Sequence, residues 1–271
     1  MPPTRRAITV GAAAAAASIR ASASADPPPA HDMTGVPPAW HGNERIAMLI
    51  YPGFTALDMV GPHYMLSSLM GATTLVIARD RQPVRSDTGL VITPDLALSE
   101  WTGDIDILCV PGGTSGTLAA MEDAETIGFL RGVGARARFI TSVCTGSLIL
   151  GAAGLLEGYR ATSHWVTRPL LPIFGATPVD ARIVRDRNRI SAAGVTAGLD
   201  FGLSLVGELR DTAYAQGVQL LAEYAPEPPF DAGTTRSAPV AVQGMLTGMF
   251  AGFMVKAEET SRRSMARVRG G

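Results

Sequence analysis

Between residues 45 and 224 the chain alternates short apolar, β-branched runs with longer stretches whose apolar residues recur at helical spacing, and Gly, Pro, Asn or Asp punctuates the joins. Residues 45–51 read as a first strand, turned by Pro52-Gly53-Phe54 and followed by a helix from about 58 to 70 and a strand at 73–78. Residues 85–93 predict a short hairpin-like excursion. The sheet resumes at 106–110, and a helix at about 122–135 leads to a buried strand at 139–143 that runs straight into a helix at 145–156. Strands at 181–184 and 189–193, joined by a turn at 185–188, and helices at 197–209 and 211–224 complete the pattern. This order predicts an α/β domain, a mostly parallel sheet covered by helices on both faces. There is no internal repeat. Past Pro239, Val242, Met245, Leu246, Met249, Phe250 and Phe253 recur at helical spacing and predict an amphipathic helix packed on the domain or on a dimer mate.

The first 25 residues differ in kind: Arg5-Arg6, an alanine-rich run and an Ala-x-Ala ending at Ala25 form the parts of a twin-arginine export signal. The expectation is a periplasmic or secreted protein, cytoplasmic if the signal does not function. Residues 26–43, rich in Pro and Gly, read as a linker. The domain is then expected at 44–239, with a helix and basic tail at 240–271. A net charge of −1 gives no footprint for nucleic acid or an acidic membrane. No stretch reads as long and apolar enough to span a bilayer. The four histidines are scattered singly, so no metal site is expected.

Candidate chemistry centres on the junction Ser142-Val-Cys144-Thr145-Gly146. A cysteine at a strand-to-helix corner, flanked by small residues, resembles a nucleophile elbow. Unpaired N–H groups and the helix dipole there favour the thiolate, which predicts a presented, reactive thiol. Cys109, in the middle of an apolar strand, reads as core, and no bridge between the two cysteines is expected. Three further segments follow strands and so converge on the same sheet edge. Asp58, flanked by apolar residues, is a candidate acid/base with a raised pKa, or else the N-cap of its helix. Gly112-Gly113 can bring backbone N–H groups to a developing negative charge. His164, beside Trp165, is either a base for Cys144 or hydrogen-bonded support.

Taken together, Tyr51-Pro-Gly-Phe-x-x-Leu-Asp58-x-x-Gly-Pro62, Val110-Pro-Gly-Gly113, Ser142-Val-Cys-Thr-Gly-Ser147 and Arg160-Ala-Thr-Ser-His-Trp165 resemble the DJ-1/PfpI superfamily, and within it the isonitrile hydratase branch, over residues 45–239. The resemblance implies a flavodoxin-like three-layer fold, a homodimer and a cofactor-free hydration of isonitriles. It implies Cys144 as nucleophile, Asp58 as acid/base and Thr145 as a neighbour needed for activity, with Gly112, Gly113 and His164 at the substrate. Other branches place a glutamate where Asp58 stands and often a histidine where Thr145 stands, so peptidase and chaperone readings lose support. Similar domains also front AraC-type regulators, which makes a non-catalytic ligand- or redox-sensing domain the alternative. Roughly one helix after Pro239 is too little for paired helix-turn-helix units.

Overall fold

The computed structural model describes residues 35–270, and the predicted export signal lies outside them. In chain order the elements are β1 (Arg45–Leu49), α1 (Ala56–Ser67), β2 (Thr73–Ala78), β3 (Val84–Arg85), β4 (Val91–Ile92), β5 (Leu96–Ala97), β6 (Ile107–Val110), α2 (Ser115–Glu122), α3 (Ala124–Gly134), β7 (Phe139–Val143), α4 (Gly146–Ala152), β8 (Arg160–Ala161), β9 (Thr177–Pro178), β10 (Ile183–Asp186), β11 (Arg189–Ala192), α5 (Ala197–Leu209), α6 (Thr212–Leu221) and α7 (Val240–Gly270). Seven strands form one sheet in the order β10-β11-β7-β6-β1-β2-β5, all parallel except β10. Helices α1, α5 and α6 pack together on one face, and α2, α3, α4 and α7 on the other. This is the expected flavodoxin-like three-layer sandwich. β1, β6 and β7 are buried almost throughout, which is why they read as continuous apolar runs and not as alternating ones.

Several boundaries move for local reasons. The helix read at 122–135 is two helices. Asp123 ends α2 and caps α3, accepting from the Thr126 N–H at 3.0 Å, and the glycine- and threonine-rich start of α2 hid it. The helix after the cysteine stops at Ala152, because Gly154 and Gly158 adopt φ +75° and +71°. Within the stretch read as linker, Trp40 donates to Asp211 at 2.8 Å and stacks edge-on against Tyr214, so the compact unit begins at Pro37. Close by, Arg210 closes a nearly dry ion pair with Glu44 at 2.6 and 2.8 Å.

The C-terminal helix also departs from expectation. Its second half packs on the body through Ala257, Ser261 and Met265. Its first half carries Val240, Met245, Met249 and Val255 largely in the open. By length and apolar composition alone Val240–Val268 meets the measure of a bilayer span, contrary to the expectation from the sequence that no stretch does.

Candidate active site

Strand order assembles the site. β6 lies between β1 and β7, so the segments leaving their carboxyl ends meet: Asp58 on α1, Gly112-Gly113 after β6, and Cys144 after β7. Cys144 makes the corner with φ +57°, a left-handed conformation that costs a side-chain-bearing residue roughly 1–2 kcal/mol. The corner is held from outside. The Cys144 N–H donates to the Ala192 carbonyl at 3.0 Å, and the Cys144 carbonyl accepts from Ser163 Oγ at 3.1 Å and Ser147 Oγ at 3.2 Å.

Asp58 is the third residue of α1 and not its cap; Thr55 stands at the cap position. The Asp58 carboxyl instead turns inward, 1% exposed, where Oδ2 accepts the Gly112 N–H at 2.9 Å and Oδ1 has no hydrogen-bond partner. Burial drives its pKa from 3.8 up to about 7, with the Gly112 amide and the neighbouring Cys144 thiol pulling the other way and Asp87 adding to the rise. Thiol and carboxyl are near enough to act on each other's protonation.

The expectation of an exposed thiolate is overturned. Cys144 is 6% exposed, and burial pushes its thiol well above the usual range, helped by the negative charge of Asp58. The Thr145 backbone N–H favours the thiolate, but α4 is only seven residues long and its field does not offset the loss of water. Cys109 is core, as read: it accepts from Thr141 Oγ1 at 3.1 Å, and burial lifts its pKa to about 12. Both cysteines are free.

The glycine amides do not point at open space. Gly112 N–H is taken by Asp58, and Gly113 N–H donates to Thr145 Oγ1 at 2.9 Å. The Thr145 hydroxyl also lies 2.6 Å from the Gly113 carbonyl and 2.8 Å from the Thr117 hydroxyl, and Tyr51 joins through Thr117 at 3.2 Å and the Pro111 carbonyl at 2.8 Å. Gly112 has to be glycine: a Cβ there would lie 2.5 Å from the Thr145 N and 2.9 Å from Asp58 Oδ2. These amides therefore position acid and threonine; the free oxyanion hole read from the sequence is not formed by them.

His164 stands apart from this cluster. Its ring lies against Trp165 and Phe250 of α7, Nδ1 accepts from the Val166 N–H at 3.4 Å, and burial lowers its pKa. It makes no hydrogen bond to Cys144 and does not bear on that thiol's protonation in this structure. Its neighbour Ser163 is the residue of that motif that touches the corner, and with Thr117, Tyr51 and Asp87 it went unread, because single hydroxyls and a loop carboxylate carry no spacing signal. A trough of about 900 Å³ opens beside the site at the ends of β1 and β2, lined by Tyr51, Pro52, Arg79, Arg85 and Glu122 among others, but neither Asp58 nor Cys144 lines it. No cluster of three metal-ligating side chains occurs among the described residues.

The chain is similar to several known proteins. The isonitrile hydratase of Pseudomonas putida is 48% identical over 198 residues, 73% of this chain and 86% of that protein. The HTH-type transcriptional regulator GbdR of Pseudomonas aeruginosa is 32% identical over 181 residues, 64% of this chain and 48% of that protein, so the chain spans about half the regulator's length. The crystal structure of a THiJ/PfpI family protein from Pseudomonas syringae superposes with a TM-score of 0.82 at 55% identity, covering 89% of this chain and 98% of that one. The model of the DJ-1/PfpI family matches residues 44–208, the span that carries α1, the glycine pair and the cysteine corner, and the chain belongs to that family.

Proposed function

We propose that the chain is an enzyme that hydrates small organic isonitriles to N-substituted formamides, with Cys144 as nucleophile, Asp58 as the group that moves the proton, and Thr145 holding the corner between them. The observation that carries this reading is a buried thiol beside a buried carboxyl whose Oδ1 has no partner. It is supported by the 48% identity to the Pseudomonas putida isonitrile hydratase over most of that protein.

With a pKa of about 7, Asp58 is present as acid and as carboxylate in comparable amounts near neutrality, the condition for both giving and taking a proton. The carboxylate accepts the thiol proton as sulfur bonds to the terminal carbon of R–N≡C, then delivers it to that carbon. The product is a thioimidate, R–N=CH–S–Cys144. Water adds to the same carbon, giving one proton to the carboxylate, which passes it to the nitrogen; the C–S bond then breaks as the hydroxyl proton goes to sulfur by way of the carboxylate, and R–NH–CHO leaves. One water is consumed and no electrons are exchanged. Acyl transfer would build charge on oxygen and call for free N–H donors. Isonitrile addition builds it on a carbon that a proton neutralises, which suits a site whose Gly112 and Gly113 amides are already engaged.

The test is formamide production from cyclohexyl isocyanide by the parent chain and by Cys144→Ala, with methylglyoxal and a peptide as controls. The reading expects isocyanide turnover by the parent and none by the variant; equal turnover by both sinks it. The second reading, a ligand- or redox-sensing domain, has the partial likeness to GbdR behind it. Its redox form is opposed by the raised thiol pKa, since the thiolate is what peroxide attacks. We further infer a homodimer, and export through Arg5-Arg6. Sedimentation mass tests the first, and recovery of the protein from the periplasmic fraction tests the second.

A further inference from the structure

We propose that Thr117 is a positioning residue for this reaction: it takes over the Gly113 carbonyl and so lets the Thr145 hydroxyl turn its one proton to the Cys144 sulfur as the thiol ionises. This rests on Cys144 acting as the nucleophile. Thr117 lies on α2 and is 0% exposed. Its hydroxyl oxygen is 2.7 Å from the Gly113 carbonyl, 2.8 Å from the Thr145 hydroxyl and 3.2 Å from the Tyr51 hydroxyl.

Every polar group in the backbone of the glycine pair is engaged. The Gly112 N–H donates to Asp58, and the Gly112 carbonyl accepts from the Thr55 N–H at 2.7 Å. The Gly113 N–H donates to Thr145 Oγ1, and the Gly113 carbonyl is shared by the Thr145 hydroxyl at 2.6 Å and the Thr117 hydroxyl. That carbonyl has two lone pairs, but each hydroxyl has a single proton. Tyr51 gives its own to the Pro111 carbonyl at 2.8 Å, so toward Thr117 it only accepts.

The Thr145 proton therefore has three claimants: the Gly113 carbonyl, the Thr117 oxygen and the sulfur, whose thiolate the Thr145 hydroxyl favours along with its backbone N–H. A protonated sulfur is a weak acceptor, and the carbonyl then holds the proton. Once Asp58 has taken the thiol proton, the sulfur is charged, and burial makes it dependent on donors within reach. Thr145 turning to it would leave the Gly113 carbonyl a buried acceptor without a donor, which disfavours that state by about 10-fold. Thr117 supplies the donor. Both hydroxyls only rotate, and neither gives up its proton.

A helical threonine often bonds the carbonyl four residues back, and Thr117 stands at that spacing from Gly113. Here, however, α2 begins at Ser115, so the carbonyl belongs to the active-site loop, and a hydroxyl from the cysteine corner shares it. The ionisable groups that bear on the sulfur are Asp58 and Tyr51, with Asp87 acting on both of these. Residues 193–199 and α4 carry no ionisable side chain, and Glu122 at the far end of α2 is paired with Arg263. Changes at Thr117 leave all of these groups in place.

The test is the rate at which iodoacetamide alkylates Cys144 over a pH series, read by mass spectrometry of its peptide, beside kcat and KM for cyclohexyl isocyanide. Thr117→Val keeps the shape without the hydroxyl, and Thr117→Ala carries the test should the added methyl crowd Thr145. Both are expected to slow alkylation about 10-fold at a given pH and to lower kcat by a like factor with KM unchanged. Thr117→Ser is expected to restore both rates. Alkylation of the Val and Ala variants at the parent rate overturns the proposal. So does a Ser variant as slow as Val, which would trace the effect to packing and not to the hydroxyl. Alkylation requires no isonitrile, so a parent without isocyanide turnover would remove the functional reading and still leave the alkylation profile to decide this one.

Discussion

Replacing Asp58 with Asn should make the protein more stable in alkali while removing its activity. In the native fold this carboxyl has a pKa of about 7, against 3.8 when solvated. The folded state thus holds the proton more tightly than the unfolded one between those values. Its contribution to stability is complete below pH 3.8 and is lost as the pH rises through about 7. At about 1.4 kcal/mol per pH unit, the gap corresponds to roughly 4 kcal/mol lost between pH 4 and pH 8. Asn keeps an oxygen for the Gly112 N–H and never ionises, so it escapes this loss, at a cost of about 1–3 kcal/mol for an amide N–H placed where Oδ1 now has no partner. Urea unfolding of parent and variant at pH 4, 6 and 8 separates the two effects. The parent curve should fall relative to the variant's with rising pH, the variant being less stable at pH 4 and the more stable of the two at pH 8. Parallel curves would refute the claim that a desolvated, titrating carboxyl lies at the centre of the site.

The remaining expectations concern rate and architecture. Because thiol and carboxyl together must hold one proton, kcat/KM of the parent should rise with pH to a plateau, with a midpoint near the Asp58 value of about 7; a flat profile from pH 5.5 to 8.5 would contradict the assignment. Gly112→Ala drives a methyl group into the Thr145 N and Asp58 Oδ2, so kcat should fall at least about 100-fold in the formamide assay, the scale of losing a placed acid/base. Arg210→Leu leaves Glu44 charged in a nearly dry site and should lower stability by about 3–5 kcal/mol in urea at pH 7. That loss should shrink in acid, as the Glu44 carboxyl, which Arg210 holds below its usual range, takes up its proton.

Where the pattern of side chains is fixed by burial, the sequence was a good guide. β1, β6 and β7 are nearly continuous apolar runs because both faces of the sheet are covered, and the Cys-Thr-Gly corner announces its own geometry, whereas the end of α4 at Gly154 was read through. The cluster of Asp58, Cys144, Thr145 and the glycine pair was legible because each follows a strand and parallel strands bring such ends together. Protonation was not legible. Whether a helix terminus or desolvation governs Cys144 depends on how much water reaches it, and that depends on Asp58 and on loops distant in sequence. Nor could spacing tell that the Gly112 and Gly113 amides would be consumed by neighbours, or that one face of the first half of α7 would stand open.

The left-handed Cys144 also has a practical corollary for protein engineering. A conformation that its own residues disfavour is maintained by Ala192 on one side and Ser163 on the other, contributed by chain segments nearly 50 and about 20 positions downstream. Grafting the pentapeptide from Ser142 to Gly146 onto another strand–helix scaffold would bring the reactive group without its brace. A miniature catalyst built on this template has to import β11 and the serine loop with it.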